Sequence, residues 1–192
     1  MTAVLLGLAF VAVTLVRSVL LWRTQGVKPY VIDHRDPLLR FVAQVFAFVV
    51  LTLIAYCVAI AIRPDVERGL GLIAWASGEG TRWAGSSLIA VATVWTGSAQ
   101  VAMGASWRIG IPEQVTALCT QGPFALSRNP IFLGMLAFVA GLTLWSPSAV
   151  TLALLATAYV ALEVQIHSEE AFLERAHGQA YRDYRARVRR WI

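Results

Sequence analysis

Five long apolar runs constrain this chain more than any other feature. A helix that crosses a bilayer needs about 20 predominantly apolar residues. The runs Thr2–Trp22, Leu38–Ile62, Ser86–Met103, Ile131–Trp145 and Ser148–Ile166 approach or exceed that length within 192 residues. The first is broken only by Arg17, has no basic leader or cleavage site, and is too long for the core of a signal peptide. The third carries Thr93, Thr96, Ser98 and Gln100; the last three either face a pocket at the inner-leaflet edge or, as the favoured reading, pack helices together. Gly69 to Ala76 is apolar but short, and is expected to lie on the surface or to re-enter the membrane without crossing it. Charged residues are 14% of the chain, against about 25% in a soluble domain. These features predict an all-α, polytopic membrane protein forming a single domain over 1–192. It has about five transmembrane helices and a C-terminal amphipathic helix.

Only Trp145-Ser146-Pro147-Ser148 separates the last two runs, so they must form an antiparallel hairpin, and Pro147 suits the first turn of the returning helix. At 1.5 Å per residue, Pro130 and Glu163 lie roughly 24 Å from the turn. The hairpin therefore brings Arg128 and Asn129 level with Glu163 to Glu170 at one membrane face. With five spans, eleven Lys and Arg residues fall on that side and three (Arg63, Arg68, Arg82) on the other. Basic loops stay in the cytoplasm, so the N-terminus is expected outside and the polar cluster and C-terminus inside, in an inner or plasma membrane. Arg17 and Arg40 lie near helix ends and can extend their charges to the interface.

Two segments can carry chemistry. In the first, Gly122 to Gly134, Gly-Pro makes a turn, Pro130 opens a helix and Asn129 is placed to cap it. The free N–H groups at that helix end, with Arg128 beside them, suit an anion such as a carboxylate. The same residues also fit a plain helix start with an arginine at the membrane edge. In the second segment, Glu163, His167 and Glu170 recur at i, i+4 and i+7 on one helical face, with Glu169 and Gln165 adjoining. These acids can hold an amine or ribose hydroxyls or take a proton, or can pair with nearby arginines as the helix leaves the membrane. The tail, Phe172 to Ile192, carries an apolar stripe among arginines and is expected to be an amphipathic helix acting as anchor or lid. Trp107 to Pro112 lies on the same side of the membrane.

Several classes are excluded. No P-loop, dinucleotide fingerprint or nucleophile elbow is present, and Gly69-Leu70-Gly71 lacks the flanking strand. Cys57 and Cys119 form no metal-ligand spacing with His34, His167 or His177, so neither metal nor disulfide is expected. The net charge of +5 does not indicate nucleic acid, because the positive-inside bias already accounts for the tail arginines.

The segment Gly122-Pro123-Phe124, followed by Arg128-Asn129-Pro130-Ile131-Phe132-x-Gly134, resembles the Gly-Pro-Tyr…Arg-His-Pro-x-Tyr-x-Gly block of the isoprenylcysteine carboxyl methyltransferase-like family, which includes phospholipid methyltransferases. Glu169-Glu170, Leu173, Gly178, Tyr181 and Tyr184 resemble that family's second block, and Val188-Arg189-Arg190-Trp191 its ending. The resemblance covers about 104–192, leaving 1–103 to match only as hydrophobic spans. It implies a membrane enzyme that transfers a methyl group from S-adenosylmethionine to a lipophilic acceptor, a lipid or an isoprenoid, at the cytoplasmic face. It also implies that Gly122, Phe124, Arg128, Asn129, Pro130, Gly134, Glu169 and Glu170 line or shape the cofactor pocket. Arg128 would hold the methionine carboxylate and Glu170 the ribose or amino group, while Glu163 or His167 serves the substrate. Asn129 and Phe132 replace the family's histidine and tyrosine, which removes one potential proton acceptor. Two alternatives are a sterol- or enone-type membrane reductase using NADPH, disfavoured by the lack of a basic pocket for its additional phosphate, and a non-catalytic transporter or scaffold subunit. The latter is disfavoured by the absence of internal repeats and mid-membrane charges.

Overall fold

The computed structural model describes residues 2–25, 36–104 and 117–192. Its α-helices are α1 (Thr2–Gln25), α2 (Pro37–Ile62), α3 (Val66–Gly69), α4 (Glu79–Met103), α5 (Pro130–Trp145), α6 (Ala149–His177) and α7 (Gln179–Arg187). Short 3-10 turns lie at Ala74–Ala76 and Gly122–Ala125. Among the described residues the only β pairing is one isolated bridge, Leu72 to Ser148. Lys28, Arg35, His34 and the Trp107–Pro112 segment lie outside the described residues, as does the Arg17 side chain.

Each of the five apolar runs is a helix, but two of them, α2 and α6, are long and apolar enough to cross a membrane, with mean hydropathies of 2.8 and 1.8. The apolar stretch of α1, Leu5–Thr14, and the whole of α5 are shorter. Sixteen residues of α5 reach about 24 Å, less than the roughly 30 Å hydrocarbon core. Polar and charged residues dilute α4, which begins at Glu79, a full two turns ahead of the apolar run. Phe41, Phe48, Leu51 and Ile54 of α2, Val91 and Val94 of α4, and Leu152 and Val160 of α6 are exposed. An outward apolar belt of this kind is what a protein in contact with lipid presents.

One core joins all five long helices. Phe10 of α1 stacks on Phe138 of α5, with ring centroids 4.1 Å apart. Val49 and Leu53 of α2, Ile89 and Ala92 of α4, Val139 and Leu142 of α5, and Leu154 and Ala158 of α6 complete it. The closest approach is between α4 and α5, which run antiparallel through glycines. A Cβ on Gly85 would lie 2.5 Å from both the Gly141 carbonyl oxygen and the Trp145 nitrogen. Glycine is required there because helix backbones touch.

The α5–α6 hairpin forms as expected, but its cap differs. Pro147 stands ahead of the helix, and Ser148 is the N-cap. Thr151 N–H donates to Ser148 Oγ at 3.2 Å and Ser148 N–H to Thr151 Oγ1 at 3.1 Å. A serine oxygen satisfies an unpaired helix-end donor, which proline cannot do. The Gly69–Ala76 segment lies across this turn: Ile73 N–H donates to the Pro147 carbonyl and Ala149 N–H to that of Gly71. Beneath it, the buried Glu67 accepts from Ser146 and pairs with Arg82, while Tyr56 bonds Ser146 and Ser148.

The tail is not one amphipathic helix. The fifth run continues as α6 to His177, and Gly178, at φ +53°, breaks the helix before α7. Glycine takes a positive φ at little cost, and helices commonly end on it. The 29 residues of α6 extend to about 43 Å, so the portion beyond Ile166 projects past a bilayer's hydrocarbon.

Candidate active site

The hairpin brings its two polar segments together, and the C-terminal segment closes over them. Arg128 Nη2 donates to Glu170 Oε1 at 2.6 Å, with 9% and 11% of the two side chains exposed. The other terminal nitrogen, Nη1, donates to the carbonyls of Arg185 and Val188, each at 3.2 Å. Those carbonyls lie at the C-terminal end of α7, where a cation is favoured. Arg190 approaches Glu170 from the far side, Nη2 to Oε2 at 2.8 Å and Nε to Oε1 at 3.2 Å, and gives Nη1 to Glu163 Oε2 at 3.2 Å. Glu170 thus lies between two guanidinium groups. Trp191 Nε1 donates to Glu163 Oε1 at 3.0 Å, and its ring stacks on Tyr159.

Backbone bonds hold the closing segment in register. Arg128 N–H donates to the Arg189 carbonyl at 3.0 Å, while Ser127 Oγ and Asn129 Nδ2 both donate to the Arg190 carbonyl at 3.2 Å. Asn129 occupies the N-cap position of α5, as expected, yet its side chain does not cap the helix. Its amide is turned to Arg190, and Ser127 Oγ accepts the Asn129 N–H. Pro130 and Gly134 lie in the first two turns of α5; Gly122 and Phe124 form the preceding 3-10 turn. Tyr184 Oη donates to the Phe124 carbonyl at 2.7 Å and pins α7 to that turn.

The remaining predicted acids lie beside this cluster. Glu169 accepts from Gln165 Nε2 at 2.9 Å, the adjoining face that helical spacing assigned to it. His167 Nδ1 lies 2.7 Å from the Glu163 carbonyl oxygen. A carbonyl accepts, so Nδ1 is the donor in this contact. Glu163 and Glu170 are paired to arginines, one of the two arrangements open from sequence, but Glu170 is buried and not solvated.

Electrostatics follows burial and partners. Burial alone would raise the Glu170 carboxyl; hydrogen bonds from Arg190 and Arg128, with their charges, outweigh it and hold the group below the ordinary range. Glu169 has no such cations, and crowding by surrounding protein pushes it up to about 7, against a smaller opposing effect of Gln165. Burial, and then the Glu170 charge, raise the Tyr181 phenol. Its hydroxyl, like Arg128 Nε, is buried with no hydrogen-bond partner among the described residues.

Sequence reasoning did not assign Arg190, Trp191 or Ser127 to the site. Arg190 was one of several tail arginines, and only its place in the closing Val-Arg-Arg-Trp motif set it apart. Among the described residues, no cluster of His, Cys, Asp and Glu fits a metal ion. A cavity lined by Ser77, Gly78, Glu79 and Arg82 lies at the opposite end of the bundle.

The family model for phospholipid methyltransferase matches residues 81–180, more than half the chain. The chain belongs to the phospholipid methyltransferase family. No curated protein and no solved structure matches it. The matched region runs from α4 to the start of α7 and contains Gly122, Arg128, Glu163 and Glu170. Membership points to a membrane methyltransferase acting on lipid, in agreement with the apolar belt.

Proposed function

We propose that this phospholipid methyltransferase family member transfers a methyl group from S-adenosylmethionine to a lipophilic acceptor, a lipid or isoprenoid, at the cytoplasmic face of an inner or plasma membrane. The orientation has the N-terminus outside, as the charge count predicts, with five membrane-embedded helices. The observation that carries this reading is the closed cluster of Arg128, Glu163, Glu170 and Arg190 at one end of a lipid-facing bundle, inside or adjoining the region that defines the family.

The residues present fit a zwitterionic, nucleoside-containing donor. Arg128 keeps a buried, unpaired Nε for the methionine carboxylate, and Glu170 supplies a carboxylate for the amino group or ribose. Gly122, Phe124, Asn129, Pro130 and Gly134 shape the wall, and Glu169 adds a second acid. A bound sulfonium supplies an electrophilic methyl group for in-line displacement. The protein's contribution is to hold the acceptor atom about 3–3.5 Å from that methyl, in line, and to exclude water. The closing Val188–Trp191 segment performs the exclusion, since it covers Arg128 and Glu170 directly. A carboxylate acceptor needs no base. An amine, phenol or thiol must lose a proton, and Glu163 or His167 is the proposed acceptor.

The test is calorimetric titration of detergent-purified protein with S-adenosylhomocysteine, with NADPH in parallel. Saturable binding of the first alone, weakened in Arg128→Ala and Glu170→Ala, is expected. Binding of NADPH alone would replace this reading with a reductase, and binding of neither would leave a non-catalytic membrane subunit. Unchanged affinity in both variants would remove the roles given to Arg128 and Glu170.

A further inference from the structure

The polar residues of α4 divide in the structure. Ser98 donates to the Trp95 carbonyl. Thr96 and Gln100 turn inward, each 1% exposed. Neither Thr96 Oγ1 nor Gln100 Oε1 nor Gln100 Nε2 has a hydrogen-bond partner among the described residues. Helix packing satisfies polar groups elsewhere on this interface: Trp95 Nε1 donates to the Pro130 carbonyl at 2.8 Å. A buried amide with both ends unpaired among the described residues works against folding, and a bound ligand is one partner that would satisfy it.

Its position identifies the kind of partner. The antiparallel register sets Gly85 against Trp145, Ile89 against Gly141 and Thr96 against Gly134, which brings Gln100 level with Pro130. There α5 begins, and the N–H groups of Ile131 and Phe132 find no acceptor within the helix. The positive end of a 16-residue helix faces the same place. Two residues upstream, Arg128 Nε is also buried and unpaired. The free groups here are therefore several donors and two neutral acceptors, Gln100 Oε1 and, one turn away, the Thr96 hydroxyl. A phosphate would use the donors but be repelled by the amide oxygen. A carboxylate with an ammonium on the adjacent carbon satisfies both.

We propose that Gln100 binds the α-amino-acid end of the methyl donor, its Nε2 donating to the carboxylate and its Oε1 accepting from the ammonium. This assigns a specificity residue to the site described above and rests on the S-adenosylmethionine reading. Discrimination between donors that carry the amino-acid end and nucleosides that lack it then comes from α4.

The test compares S-adenosylhomocysteine with 5′-methylthioadenosine, which shares the nucleoside and thioether but has no amino-acid end, by calorimetry on wild type, Gln100→Leu and Gln100→Glu. The wild type is expected to prefer S-adenosylhomocysteine. Both variants should bind it about tenfold more weakly or worse, the effect of losing a hydrogen bond to a charged group, with methylthioadenosine affinity unchanged. The ligand-free melting temperature of Gln100→Leu should not fall, because the amide has no partner to lose among the described residues. Unchanged S-adenosylhomocysteine affinity, equal weakening of both ligands, or a lower ligand-free melting temperature would each overturn the assignment and leave the methyltransferase reading standing. A wild type that binds neither ligand would overturn both.

Discussion

Glu170→Gln is the substitution whose cost the geometry fixes best. The replacement keeps the shape of the side chain and removes its charge. In the native protein that charge is shared by Arg128, 2.6 Å away and 9% exposed, and Arg190, 2.8 Å away and 31% exposed. Breaking a buried ion pair by removing one partner costs about 3–5 kcal/mol, because the other charge stays buried and uncompensated. Arg190 can turn toward water or lean on Glu163, so its share is small. Arg128 cannot, since its Nη1 is fixed to two carbonyls and its Nε is buried. The expected loss is therefore near the lower end, about 3 kcal/mol. For a chain of this length that is a drop of about 6–12 °C in melting temperature, measured in detergent by tryptophan fluorescence. The double variant Glu170→Gln, Arg128→Met carries the sharper expectation. With the stranded cation removed, it should be no less stable than Glu170→Gln alone, which gives a coupling of about 2–3 kcal/mol. Additive losses would show that the two groups do not depend on each other, and the account of the site as a buried charge network would fall.

Two further outcomes are expected. The carboxylates should give opposite pH dependences: the Glu170 contribution, from a depressed folded value, is present above the ordinary carboxylate range and lost as pH falls through that folded value. The Glu169 contribution, from a value raised to about 7, is full below the ordinary range and lost as pH rises through about 7; melting temperatures across pH 4–8 should flatten on the alkaline side in Glu169→Gln, and an unaltered profile would refute the shift. On the opposite side of the bundle, Gly85→Ala should lower stability by about 1–3 kcal/mol through overpacking, because its Cβ would meet backbone atoms at 2.5 Å. Gly80→Ala in the same helix, with nothing within 4 Å, should be neutral or stabilising by about 0.5–1 kcal/mol, and equal losses at both positions would refute the close-contact argument.

The parts legible in the sequence were those set by local chemistry. Apolar runs located the long helices, Pro130 marked the start of α5, and a four-residue connection forced the hairpin that brings Arg128 to Glu170. Helical spacing placed Glu163 and Glu170 on one face, where both now meet Arg190. The tail was less legible. Its arginines are nearly equivalent along the sequence, and only the break at Gly178 decides which of them returns to the bundle. The stripe through Leu173, Ala176 and Ala180 continues across Gly178, so periodicity alone predicted an unbroken helix. The Asn129 amide was misjudged for a related reason: a residue in the N-cap position usually accepts from its own helix, but here Nδ2 donates to the Arg190 carbonyl, 61 residues away, and the side chain makes no bond to the helix end. Pairing at that separation leaves no trace in local spacing.

The same long-range contacts explain why the last five residues matter to a site built mostly on α5 and α6. Arg128 reaches into that segment through its N–H and its Nη1, Asn129 through its amide, Ser127 through its hydroxyl, and both Glu163 and Glu170 through Arg190. Every one of these bonds crosses from the hairpin to the chain end. A ligand at the start of α5 must therefore compete with Arg190 for Glu170, or be enclosed as the segment settles over it. Under the proposed roles, donor binding and closure of the C-terminal segment would in either case draw on the same carboxylate. A site that uses one buried acid both to hold its cover and to recognise its ligand opens at least part of that cover when it exchanges ligand, and Glu163, with a second bond to Arg190 and one to Trp191, is the residue that keeps the segment from leaving altogether.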